Sequence, residues 1–549
     1  MGAQKEQGRK KRMWIIPLIL AAVQWSIWQA AGIGKGFMDY DPVRPYVWVQ
    51  KGLFLLLLIS AWCFAFYVAD QLKTGNRLMK RGIRIFIVYF SVLFVILLIL
   101  WPGTWYWDDV GVLASAKDYD VIAWQHFLSS FFQTVFLQLI PTPGGVILCQ
   151  LVIAAIIVSY VITDYEETFC QGRQLIGIWP LDILIKIIPF LLPPVLLYQY
   201  SGFRMGMYIF YEVFVLGFMI CISYRNRKIG WVMPVLIGLC TAVLSTWRSE
   251  GILYAPAVML LLIIQNKEML DIKKKLLTAG VMLMAMAAIV SYQRARTGNS
   301  DYSVVAILRP LSEVVRAADP ESDADLLEDI EKVVGTQVML DNPDVDGENL
   351  LWKYDLEIKE YSGEEYSRFM KAFVGLCMRH PKAAAKERIR VFIETSAIMG
   401  RTNPTNVVGA YYLFDPEEQN DNQAEFTGWN APMNRPLSES VRQKFILFLG
   451  GLREDFSERI TYRLIWNIIL PLGVLVFFWV YLLVRKKWKM LIGVSAVVFR
   501  LPIVFLVAPA TWTMYYLSFY LTGYLALMLS IVFILQNKAG DKAGNINES

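Results

Sequence analysis

Two adjacent carboxylates, Asp108 and Asp109, end the run Trp101-Pro102-Gly103-Thr104-Trp105-Tyr106-Trp107. A carboxylate screened from water by aromatic rings becomes more basic, because burial penalises its charged form. Such a group can take the proton of a hydroxyl while that oxygen forms a new bond, which is general-base chemistry. Asp108 is the first candidate for that role and Asp109 the second, with Trp107 beside them as a positioning residue. The ordinary alternative is a solvated loop with an aromatic belt, since Trp and Tyr collect at membrane surfaces.

Other residues could serve the same chemistry. His126 is one of only two histidines in the chain. It could orient a reactant or touch a phosphate, or simply be a polar cap on the following helix. Arg248, in Trp247-Arg248-Ser249-Glu250-Gly251, falls between two apolar runs and could hold a phosphate with two aligned donors. Pairing with Glu250 is the competing reading. Arg204, in Ser201-Gly202-Phe203-Arg204, is a second candidate for the phosphate. Glu212 and Arg500 sit inside apolar runs, where an unpaired charge is costly, so they face protein or water: they could pair with each other, or position a reactant as a polar wall for its phosphate, or serve a transporter as a proton site. A lone histidine without ligand partners does not make a zinc site. Asn342-Pro343-Asp344-Val345-Asp346-Gly347 starts like a calcium loop, but Lys353 stands where a bidentate Glu is required, so it reads as an acidic turn. No cofactor is called for by these residues, and a divalent metal stays open.

The elements that must position these groups are membrane helices. The chain has 549 residues, of which 56% are apolar and 18% charged, and its mean hydropathy is +0.43. Apolar runs of about twenty residues recur along it, each long enough to cross a bilayer. The net charge of +6 is modest and its cations cluster in short loops, which points to membrane topology rather than nucleic acid. Six scattered cysteines form no CxxC pair, so no disulfide framework is expected. The run 13–33 is too long for a signal-peptide core and reads as a retained first helix.

About twelve spans are expected, at roughly 13–33, 47–69, 83–101, 144–163, 181–199, 206–223, 230–247, 251–265, 275–293, 463–484, 489–508 and 512–535. The basic connection 71–84 belongs inside, so the 102–126 loop is outside. Segment 124–140 decides the rest. If it crossed, the basic stretches 225–228 and 485–489 would lie outside, against the charge rule. It therefore reads as an amphipathic juxtamembrane helix on the outer face. Residues 1–293 then form a nine-span module and 463–536 the closing spans, with a disordered tail at 537–549 and both termini cytoplasmic. Between them, 294–462 reads as an outer-facing, mainly helical soluble domain. Its helices run from Glu364 to Arg379 and from Lys382 to Ile398, separated by Pro381, and 401–436 reads as loop.

An outer loop with Pro102-Gly103, an acid at Asp108, and then His126 and Ser130 on a juxtamembrane helix resembles the first outer loop of GT-C superfamily glycosyltransferases. It is most similar to uncharacterised bacterial polytopic members. Phe127 stands where those proteins have proline, and Met514 where they have arginine. The resemblance implies a GT-C-like fold in a bacterial cytoplasmic membrane, Asp108 as the catalytic acid position, and a polyprenyl-phosphate-linked sugar donor. The sugar would pass with inversion to an extracytoplasmic glycan, lipid or protein acceptor. Two other readings stay open: a transporter or flippase of a lipid-linked saccharide, suggested by Glu212 and Arg500, and a non-catalytic scaffold for envelope assembly.

Overall fold

The computed structural model describes residues 2–31, 38, 45–105, 107–122, 125–172, 176, 178–225, 228–265, 270–297, 302–398, 435–455 and 457–546. Helices dominate, and the only β pairing among these residues is two isolated bridges. The bundle begins with α1 (Gly2–Ala31), α2 (Pro45–Lys73), α3 (Arg77–Leu100), α4 (Trp107–Lys117), α5 (Phe127–Leu139) and α6 (Pro143–Phe169). It continues with α7 (Trp179–Ile187), α8 (Pro193–Gln199), α9 (Arg204–Tyr224), α10 (Val232–Thr246), α11 (Tyr254–Ile263) and α12 (Ile272–Thr297).

The chain is a helical membrane protein. Among the described residues seven helices are long and apolar enough to cross a bilayer, and eight if one bent pair counts as a span. Fewer than the twelve expected spans are therefore continuous. The expected span 181–199 is bent by 75° between α7 with its 3-10 extension and α8. Pro189, Pro193 and Pro194 explain the break, since each lacks the amide proton that a helix interior needs. The expected spans at 13–33, 230–247, 251–265 and 512–535 coincide with shorter apolar helices, at Ile15–Ala31, Val232–Thr246, Ser249–Ile263 and Leu517–Val532.

α3 illustrates how sequence sets position. Asn76 caps it by accepting from the Leu78 and Met79 amides. Ile85, Tyr89, Leu93 and Leu97 recur every fourth residue and form its buried stripe, while Ile87, Phe94, Val95 and Leu98 face outward. A helix in lipid needs no polar outer face, so only packing separates the two sides. α6 starts with Thr142 as cap and Pro143 in its first turn, and it packs against α3 and α9.

Residue 294 opens the segment read from the sequence as a soluble domain. A hydrophobic cluster built on Leu308, Leu311, Val314, Ile330, Val333, Phe369 and Leu376 is separate from the bundle core. The two expected helices are Gly363–Arg379, with a capping box of Ser362 and Glu365, and Pro381–Thr395. Asp346 of the acidic turn pairs with Arg309 at 3.0 Å and Arg390 at 2.7 Å. Most of the expected loop 401–436 lies outside the described residues. The expected disordered tail is corrected through Ile546, because the last helix runs Leu517–Ile546.

Candidate functional site

The loop before α4 is fastened to the turn between α8 and α9. The Thr104 amide donates to the Tyr200 carbonyl at 2.7 Å, and its hydroxyl donates to the Leu197 carbonyl at 3.2 Å. Trp105 is fully buried, and its indole donates to the Pro102 carbonyl. Gly103 has φ +117°, and a Cβ there would come within 2.8 Å of both Ile147 and the Tyr200 carbonyl. Arg442, from helix Glu439–Gly450, reaches in from the inserted segment and donates to the Gly103 carbonyl at 2.8 Å. Part of that segment thus braces the loop directly.

Asp109 completes this fastening. It is fully buried and accepts from the Gly202 amide at 2.9 Å and the Ser201 hydroxyl at 3.1 Å. These bonds make it a tether for the turn that delivers Arg204, the first residue of α9. A Cβ on Gly202 would fall 2.3 Å from the Trp105 ring and 3.0 Å from Asp109. Gly202→Ala is therefore expected to destabilise the fold by about 1–3 kcal/mol, as overpacking does, and to shift Arg204. Thermal unfolding of the detergent-purified variant checks this.

Asp108 occupies the first turn of α4 and is only partly buried. Burial pushes its carboxyl above the usual carboxylate range, against the pull of the Arg204 guanidinium. His126 caps α5, its Nδ1 accepting from the Leu128 amide at 3.3 Å. Burial, with the Arg204 charge adding to it, brings its imidazole down to about 3. His126 is then neutral, and because Nδ1 accepts, its proton is on Nε2. Arg204 acts electrostatically on both, so Asp108, His126 and Arg204 share one corner of the protein. Trp107 opens α4, and its side chain falls outside those described.

The helix that His126 caps is α5. It was expected on the membrane surface, but ten of its residues, polar and apolar alike, are buried within the bundle. Several of its polar side chains bond inside the protein, which is why it need not face water, while Ser130 Oγ and the Oε1 atoms of Gln133 and Gln138 are buried without a hydrogen-bond partner. Gln133 donates to the Gly202 carbonyl at 3.0 Å, Thr134 to the Ala116 carbonyl at 3.0 Å, and Ser129 Oγ accepts from the Trp247 indole at 3.2 Å. Gln293 of α12 accepts from the Phe127 amide at 2.8 Å, and Tyr292 packs edge-on against Phe127 and Phe131. Replacing His126 by Asn keeps an acceptor at the cap, so its stability loss is expected to be smaller than the roughly 0.5–2 kcal/mol of an Ala replacement. Comparing the two melting temperatures tests that.

Arg248 lies one layer further in. It pairs with Glu250, Met205 Sδ lies 2.9 Å from its Nη1, and the rings of Tyr208 and Tyr515 flank it. Glu250 is shared with Arg500, at 3.3 Å, and Arg500 also meets Glu212 at 3.3 Å and the Tyr254 hydroxyl. Ser518 donates to Glu212 at 2.5 Å. Two arginines and two glutamates thus form a buried, charge-balanced chain through the bundle. Arg204 is the arginine whose charge acts on Asp108 and His126, whereas Arg248 pairs with Glu250. Met514, buried in the turn Thr513–Tyr515, sits next to the Tyr515 ring that flanks Arg248.

Ser201, Gly202, Gln133, Gln293 and Arg442 are the supporting residues that sequence reasoning missed. Only Ser201-Gly202 carried a local signal, a small polar break between apolar helices. Among the described residues no three His, Cys, Asp or Glu side chains gather as metal ligands. Compared with known proteins, the chain matches no family model, no curated protein and no solved structure.

Proposed function

We propose that the protein is a GT-C-like inverting glycosyltransferase of a bacterial cytoplasmic membrane, with both termini in the cytoplasm. It would transfer a sugar from a polyprenyl-phosphate donor to an extracytoplasmic glycan, lipid or protein acceptor. The observation that carries this reading is the pairing of a partly buried Asp108 of raised pKa with Arg204 and a neutral His126. Asp108 takes the proton of the acceptor hydroxyl as that oxygen attacks the anomeric carbon. The bond from that carbon to the phosphate oxygen breaks, and its electron pair leaves with the phosphate. Arg204 receives the phosphate charge, and the Nε2–H of His126 can donate to an oxygen of either reactant. A phosphate drawing on Arg204 also weakens the attraction that holds Asp108 ionised, so donor binding makes Asp108 a stronger base.

The chain of Glu212, Arg500, Glu250 and Arg248 favours a second reading, a transporter or flippase of a lipid-linked saccharide, because buried ionisable residues in membrane helices mark transport paths. One experiment separates the two. The purified protein in liposomes is given labelled polyprenyl-phosphate sugar and a mixed acceptor pool. Label in the acceptor, dependent on Asp108, supports transfer. Label crossing the bilayer without product supports transport and overturns the first reading.

A further inference from the structure

At the opposite end of α3 from Asp108, a cavity of about 280 Å³ opens between the α2–α3 turn and the end of α6. Arg77, Lys80, Arg81, Arg84, Glu166 and Glu167 line it. Two of these charges are already matched. Arg81 bonds Glu166 at 2.9 and 3.0 Å and also Asp182, while Lys186 bonds Glu166 at 2.5 Å and Asp182 at 3.0 Å. That quartet is neutral. Around it, Arg77, Lys80 and Arg84 stand against the single carboxylate Glu167, and Lys80 and Arg84 have no ion pair among the described residues. The Arg81 side chain is only 10% exposed, yet its Nη1 has no hydrogen-bond partner. A buried guanidinium nitrogen with no acceptor is uncommon, because its desolvation goes uncompensated.

We infer that this cavity binds a phosphate group, carried by an anionic lipid headgroup or free in solution. Several cations converging on one cavity suit a tetrahedral anion with acceptor oxygens in several directions. The place suits a headgroup as well. Exposed Ile178 and Trp179 lie at this end of the bundle, and Arg84 sits over the Trp179 ring at 5.5 Å. Tryptophan at that level marks the membrane–water boundary, and basic pockets between membrane helices hold phosphate headgroups. The site does not depend on the transfer chemistry proposed above.

The test uses the full chain and leaves Arg81 intact, since it holds the quartet together. Native mass spectrometry compares retention of phosphatidylglycerol with that of phosphatidylcholine, for the wild type, Lys80→Gln and Arg84→Gln. Selective retention of phosphatidylglycerol is expected, weakened about fivefold by each substitution. If the occupant is free phosphate, inorganic phosphate raises the melting temperature instead, and both substitutions reduce that rise. Glu167→Gln, which removes the one opposing carboxylate, is expected to strengthen whichever response is seen. Unchanged retention in both cation variants together with no response to phosphate would overturn the inference. So would an equal loss from Lys487→Gln, an exposed cation that does not line the cavity.

Discussion

Replacing Asp108 by Asn is expected to lower the transfer rate by about 10²–10⁴-fold, the usual contribution of a positioned general base. Asn has nearly the same shape but cannot take a proton. The pH dependence gives a second readout. Activity requires ionised Asp108, so it is present above the folded-state pKa and is lost as pH falls through it. Because burial raises that pKa, the acidic limb should lie above the ordinary carboxylate value of about 3.9. His126 titrates near 3, so it should add no limb between about pH 5 and 8, where an unperturbed histidine would. Stability runs the other way. A raised carboxyl pKa means the folded state favours the proton, so this contribution is complete below the unfolded pKa and disappears as pH rises through the folded one. The Asn variant should therefore melt no lower than the wild type at neutral pH. Wild-type turnover in that variant, or a large drop in its melting temperature, would remove Asp108 from the role of base.

Arg500→Met should destabilise the protein by about 3–5 kcal/mol, because it strands Glu212 and Glu250 inside the bundle without their shared cation. Arg248 still matches Glu250, so the damage centres on Glu212. Removing that charge as well, in Arg500→Met with Glu212→Gln, should recover part of the loss. A coupling of about 0.5–3 kcal/mol is typical of directly contacting groups. Denaturant unfolding of the two single variants and the double variant in detergent measures it. Strict additivity would mean that the 3.3 Å pair carries no mutual stabilisation.

The membrane class was legible because a bilayer demands long apolar helices, and that demand is written in residue type. Helix continuity was less so. Pro189, Pro193 and Pro194 were visible, but whether prolines bend a span by 75° or are absorbed depends on what packs against it. α5 was misread for a related reason. Its Ser, Thr and Gln residues at helical spacing describe a face that avoids lipid, which water or protein can provide equally well. The choice rests on Gly202, Trp247 and Gln293, all far along the chain. Asp108 could be ranked ahead of Asp109 from the sequence, but the bonds that hold Asp109 could not be seen there. Adjacent acids on a helix point in different directions, and only the partner turn at Ser201 and Gly202 decides that Asp109 is the one it holds. Pairing of Arg248 with Glu250 could be weighed from their closeness in sequence, but nothing local revealed that the distant Arg500 shares that glutamate.

The burial of α5 also constrains how the protein is made. Ala116, which accepts from Thr134, precedes α5, but three other partners of its side chains and capped end, Gly202, Trp247 and Gln293, follow by 69, 118 and 166 residues. When α5 leaves the ribosome, none of these later partners exists yet. A helix of thirteen residues with this many polar groups is too short and too polar to enter lipid alone. It must wait at the bilayer surface until α9, α10 and α12 are in place, and then be enclosed. Nascent chains arrested before α9 should therefore leave α5 open to protease, whereas chains extended past α12 should protect it. The corner holding Asp108 and His126 is in this sense assembled last, although its residues are synthesised early.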